Sequence, residues 1–154
     1  MTDYHLPSSL EALEALISQW LEAFAAENPT LEAIDRGEAG EPEPRWYVRL
    51  RGTEKEHITI WLTLGQRTLR YEAYVLPAPQ ENVAAVHEMA LRRNNQLVGA
   101  HFAIGDEDAL FLRGEIPLAW LTEPELDRIV GSLYSYTEQA FPGLIRLAFA
   151  SKFA

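Results

Sequence analysis

Leu10, Leu13, Ile17, Trp20, Leu21 and Phe24 recur every three or four residues, the spacing that lines up side chains on one face of a helix. Ser8 and Glu11 fit a capping box for its start. Asn28-Pro29 marks its end, because proline lacks the amide hydrogen and disfavours helix at the residue before it. From Thr30 to Pro44 the pattern dissolves into acids, glycine and proline, ending in GEAGEPEP, and reads as a solvated loop.

A period of two takes over at Arg45. Trp46, Val48 and Leu50 alternate with Arg45, Tyr47, Arg49 and Arg51. Ile58, Ile60, Leu62 and Leu64 alternate with His57, Thr59, Trp61 and Thr63. Leu69, Tyr71, Ala73 and Val75 alternate with Arg70, Glu72 and Tyr74. These are half-buried strands, and the short turns at residues 52–56 and 65–66 make them an antiparallel meander. Pro77 and Pro79 close the third strand. A helix is predicted from about residue 81 to 94, with Glu81 in its first turn and Arg92 and Arg93 in its last, as the helix dipole favours. Asn94-Asn95 reads as a left-handed stop.

Two further strands, 97–104 and 109–116, turn through the acidic residues 105–108. Val98, Ala100, Phe102, Ile104, Leu110, Leu112 and Ile116 are predicted to face the core, and His101, Phe111, Arg113 and Glu115 to face away. Thr122 and Glu125 form a second capping box, with Pro124 tolerated in the first turn. Leu126, Ile129, Val130, Leu133, Thr137 and Phe141 supply that helix's buried stripe. Pro142-Gly143 is predicted to kink or break it ahead of a further helix carrying Ile145, Phe149 and Phe153. The fold class is α+β: one domain over residues 1–154, in the order α-β-β-β-α-β-β-α plus a helical tail, with helices packed on a five-stranded antiparallel sheet.

Composition narrows the function classes. A length of 154 residues suits one domain with a proper core. The formal net charge of -10 repels phosphate backbones and anionic membranes at long range. Cysteine is absent, which removes disulfides, thiolate zinc and a cysteine nucleophile, and makes a cytoplasmic location the simplest reading. The start, MTDYHLPSS, has neither a basic region nor an apolar run, so it does not read as a signal peptide. No apolar run approaches the roughly 20 residues needed to span a bilayer. A soluble protein without membrane partners is expected.

The stretch LRRNNQLVGAHFAIGDEDALFLRGEIPLAWLTEPEL resembles the second half of the YbjN family: a helix ending in asparagine, a strand, a short acidic turn, a strand, and an acidic-apolar step into the last helix. The order of elements also resembles the fold of type III secretion chaperones. These resemblances imply a homodimeric, chaperone-like or regulatory protein with an unidentified protein client, and they bring no catalytic residues. YbjN proteins have been labelled sensory-transduction regulators. Nothing in the sequence indicates a secretion apparatus.

Reactive centres are missing on the residues' own terms. His87-Glu88 begins like a zinc helix, but position 91 is leucine, and the four histidines, His5, His57, His87 and His101, are scattered. Asp106-Glu107-Asp108 lacks the spacing of a calcium loop. No phosphate loop or nucleophile elbow occurs. Ser132 and Ser135 have no evident base. No catalytic residue, metal or cofactor is therefore assigned, and a non-enzymatic binding protein is expected. One surface stands out: Arg45, Tyr47, Arg49, Trp61, Arg70, Tyr74, His101, Phe111 and Arg113 all fall on the sheet face turned away from the core. That basic, aromatic face suits a dimer or client-protein surface. It could alternatively stack and neutralise single-stranded nucleic acid, a reading the overall charge disfavours. Coverage by the terminal helix or a long loop would leave it purely structural.

Overall fold

The computed structural model describes residues 10–38 and 40–153. Three helices, α1 (Leu10–Glu27), α2 (Val83–Arg93) and α3 (Glu123–Ala148), accompany six strands: β1 (Leu31–Arg36), β2 (Arg45–Arg51), β3 (His57–Leu64), β4 (Thr68–Leu76), β5 (His101–Ile104) and β6 (Leu110–Pro117). The strands form one antiparallel sheet in the order β1-β2-β3-β4-β6-β5.

The predicted alternation of β2, β3 and β4 sets which face is buried. Trp46, Val48, Ile58, Ile60, Leu62, Leu69 and Ala73 are wholly buried against Leu13, Ile17 and Leu21 of α1 and the α3 stripe of Leu126, Ile129, Val130 and Leu133. Apolar area removed from water is what holds these layers together. The indole of Trp46 keeps its polar edge satisfied by donating from Nε1 to Ser18 Oγ of α1 (3.1 Å).

Several expectations are corrected. The sheet has six strands rather than five, because Leu31–Arg36 pairs with β2 instead of forming a loop. A register shift between Leu31 and Ala33 breaks its alternation, and charged Glu32, Asp35 and Arg36 make up half of it, so periodicity could not reveal it. The strand predicted over 97–104 is only His101–Ile104. Gly99 stands at φ +77°, a left-handed position no strand contains, and its carbonyl accepts from the Tyr71 hydroxyl (2.6 Å). Val98 is consequently 70% exposed and Ile104, at the sheet margin, 51% exposed, although both were expected in the core.

The helices differ too. The Ser8 cap lies outside the described residues. Glu81 precedes α2, whose N-cap is Asn82, and its carboxylate instead accepts from the Ser151 amide and hydroxyl (2.9 Å each). Asn94 is right-handed, and the chain runs on through a 3-10 turn, Asn94–Gln96. The Thr122 cap is present, its Oγ1 accepting from the Glu125 amide (3.3 Å). The Glu125 carboxylate turns to Arg128 rather than completing the box. Pro142 does not end α3, which continues to Ala148. The missing hydrogen bond is outweighed because Ala140, Leu144 and Ala148 keep the buried stripe in register with the sheet. The Ala148 carbonyl also accepts from the amides of Gln80 and Glu81 (3.1 and 3.0 Å).

Candidate functional site

The outward-facing side chains of the sheet lie in rows fixed by strand register. Asp35, Tyr47, Trp61, Glu72, Arg113 and His101 are successive cross-strand partners from β1 to β5. On one side runs the row Arg45, Thr63, Arg70, Glu115. On the other, Arg49 pairs with Thr59, and Tyr74 with Phe111. All nine residues singled out in the sequence share this face, as the period of two requires.

Aromatic rings form a connected band within it. Tyr47 meets Trp61 edge-on (6.4 Å between centroids), Trp61 meets Phe111 (5.9 Å), and Phe111 meets Tyr74 edge-on (5.5 Å). Such geometry is favourable beyond area burial alone. Arg113 stacks over Phe111 at 4.7 Å. Burial raises the Tyr74 hydroxyl above its ordinary pKa, so it stays protonated as a donor.

The arginines are less free than the sequence implied. Arg113 Nε pairs with Glu72 (3.2 Å), Arg70 Nη2 with Glu43 (2.7 Å), Arg49 Nε with Glu32 (3.6 Å), and Arg45 Nε lies 3.9 Å from Glu41. The hydrogen bond from Arg70 holds the Glu43 carboxyl below its ordinary range. A face that reads as basic along its strands is thus a lattice of balanced charge. Glu32, Glu41 and Glu43 come from outside β2 to β6, in β1 and the loop after it, so strand alternation could not signal them.

The terminal helix does not cover this face, since α3 packs its stripe into the core on the other side. Two loops lap its ends instead. Residues 37–44 reach Arg45 and Arg70 through their acids. The β5–β6 turn folds over the opposite end, where Gly105 lies so close to the Phe111 ring that a Cβ would come within 2.4 Å of it. Phe111 is therefore only 5% exposed despite its outward register. Between the loops remains a depression of about 250 Å³ lined by Arg45, Tyr47, Trp61, Thr63, Arg70, Glu72 and Asp106.

Elsewhere, His57 and His101 stand on β3 and β5, three strand spacings apart in the sheet, or about 14 Å. They do not meet. His57 Nδ1 lies 3.1 Å from Glu32 instead. No group of three metal-ligating side chains converges among the described residues. Asn94, read as a helix stop, does something the sequence hid. Its side-chain oxygen accepts from the Phe102 amide (2.6 Å), and its side-chain nitrogen donates to the Phe102 carbonyl (3.4 Å). A carboxamide thus mimics a neighbouring strand at the free edge of β5, which limits pairing with other chains.

A family model described as "Putative bacterial sensory transduction regulator", YbjN, matches residues 15–146, which takes in most of α1, all six strands, α2 and nearly all of α3. The chain belongs to the YbjN family. Uncharacterised proteins of Mycobacterium tuberculosis and Mycobacterium bovis are 29% identical to it over 146 residues, covering 95% of this chain and 77% of theirs. An uncharacterised protein of Mycobacterium leprae is 29% identical over 107 residues, 70% of this chain and 58% of that protein. The asparagine that ends α2, part of what makes the stretch look like YbjN, thereby gains a physical role as the edge clamp of β5. The family's description names a regulatory role. Among the described residues, no helix is long and apolar enough to cross a membrane.

Proposed function

We propose that this YbjN-family protein is a non-catalytic, cytoplasmic regulator that works by binding another protein through the outer sheet face, as a homodimer joined elsewhere. The aromatic band of Tyr47, Trp61, Phe111 and Tyr74, on the face that none of the described helices buries, carries this reading. Aromatic anchors set among arginines match the composition of protein interfaces. The balanced ion pairs favour a protein over nucleic acid, which needs uncompensated cations to release counterions.

The dimer contact is assigned to the corner of α2 and β5. Leu91 (65% exposed) and Ile104 share an apolar depression of about 170 Å³ with Phe102, Ala103 and Leu110. Beside Leu91, Glu88 and Arg92 form an exposed ion pair (2.7 Å). A twofold axis there would set each acid against the partner's base, a self-complementary arrangement. Light scattering tests both halves of the proposal. A dimer that Leu91→Glu splits and Trp61→Glu leaves intact is the expected result. A dimer split by Trp61→Glu would move the interface to the aromatic face, and a wild-type monomer would remove the dimer. Partner capture should be lost in the Tyr47→Ala/Trp61→Ala variant. Undiminished capture would contradict the assignment of the face.

A further inference from the structure

We infer that the row Arg45–Thr63–Arg70, walled by Tyr47 and Trp61, is a docking site for an acidic, proline-spaced peptide segment of the partner, and that the loop of residues 37–44 is its built-in competitor. The inference rests on the protein-binding reading of this face and specifies what the face recognises.

The chain itself displays the recognition. Glu43 meets Arg70 through both of its carboxylate oxygens, at 2.7 Å from Nη2 and 3.3 Å from Nη1, the forked geometry by which arginine recognises carboxylates. Glu41, two residues earlier, approaches Arg45 at 3.9 Å. Pro42 and Pro44 follow the two acids in turn. Proline fixes φ, and in the loop the chain bends at Pro42 and Glu43, so the two acids are presented at a low cost in entropy. Same-side residues of an extended segment repeat every ~6–7 Å, and Arg45 and Arg70 stand two strands apart, ~10 Å at their Cα atoms. The long arginine side chains close that difference.

The loop is held lightly enough to be displaced. Its last residue is tied to β3, where the Pro44 carbonyl accepts from the Leu64 amide (2.9 Å), but the described backbone bonds of residues 37–43 are local: the Gly37 amide donates to the Arg45 carbonyl (2.9 Å), and the Glu41 amide to Glu38 (3.4 Å). Its described residues contribute no side chain to the apolar core, and exposed ion pairs of this kind contribute little each. The depression beside it is lined by Tyr47, Trp61 and Thr63 as well as the two arginines, which gives an incoming segment apolar area that the loop leaves unused. On the opposite wall, the Asp106 carboxylate has no hydrogen-bond or ion-pair partner among the described residues and Glu72 is tied to Arg113. Those acids oppose polyanions such as phosphate chains while tolerating two spaced carboxylates.

The test adds the peptide acetyl-GEPEP-amide in trans to the full chain and follows the Trp61 indole and Arg70 side-chain signals by NMR. With Glu41→Gln/Glu43→Gln disarming the loop, the peptide is expected to bind at least tenfold more tightly than to the wild type. Shifts should centre on Arg45, Trp61 and Arg70, and adding Arg70→Gln should abolish binding. The glutamine peptide acetyl-GQPQP-amide should not bind. Equal affinity for wild type and disarmed chain would overturn the competitor role. Absence of binding to a disarmed chain with native-like spectra, or equal binding of the glutamine peptide, would overturn the site. Partner capture that depends on Tyr47 and Trp61 but ignores Arg70 would leave the broader reading standing while this one fell.

Discussion

The two faces of one sheet carry aromatic residues on neighbouring positions of the same strands, yet put them to different use. Trp46 is wholly buried under α1, with its indole nitrogen satisfied by Ser18. Tyr47, the next residue, packs on the other side against Trp61 and stays partly exposed. The inner face is apolar and excludes water. The outer face joins aromatic rings to arginines whose charges are balanced by acids from β1, from β4 and from the loop of residues 37–44. Packing alone demands the first arrangement. It does not demand the second, and that is why the second is the better guide to function.

Unequal stability effects would sharpen the contrast. Trp46→Ala should cost about 3–5 kcal/mol in urea unfolding, the range for a large aromatic removed from a close-packed core. Trp61→Ala should cost roughly 1 kcal/mol, the loss of its edge contacts and partial burial. Comparable losses would mean the outer face is a second core. Phe111→Ala is the intermediate case, since its register is outward but its ring is roofed by the hairpin tip at Gly105. A cost of about 2–3 kcal/mol is expected there, less than for Trp46 and more than for Trp61.

Asn94→Ala should cost about 1–2 kcal/mol, because it leaves the amide and carbonyl of Phe102 without their protein partner. It should also increase self-association in light scattering, as an unclamped edge strand does. No change in either measurement would show the clamp to be incidental. The smallest effect concerns pH. Arg70 depresses the Glu43 carboxyl, and a depressed carboxylate contributes stability that is present above its unfolded pKa and lost as pH falls through the folded one. The ion pair should therefore persist to a lower pH than an unperturbed glutamate would allow, and break as pH falls through the depressed folded value. A titration of the Glu43 carboxyl carbon by NMR checks this, with a midpoint at or above the ordinary glutamate value as the contrary result.

Much of this was legible in the sequence where one rule governed a long run. Strands β2 to β4 alternate without interruption, so their buried face and six of the nine outward residues followed from spacing, and the shorter alternation of β5 and β6 supplied His101, Phe111 and Arg113. Reading failed where a short segment obeyed a tertiary demand. β1 carries a bulge and acids, so nothing periodic marked it. Val98 and Ile104 look apolar enough for a core, but Gly99 and the sheet margin leave them exposed. Pro142 carries a local signal to stop that buried neighbours on either side override. The acids that neutralise the arginines come mainly from separate elements, so the balanced charge of the site could only be seen once the chain was folded.

The most direct measurement of the central claim compares the partner's position on two faces. A photo-reactive phenylalanine analogue is placed at Arg49 on the outer face or at Gln139, exposed on α3, in the full-length chain under native conditions. One protein cross-linked from position 49, absent from position 139 and lost when Trp61→Ala is added, is the result expected of a partner-binding sheet face. The same protein cross-linked equally from both positions, or from 139 alone, would contradict it.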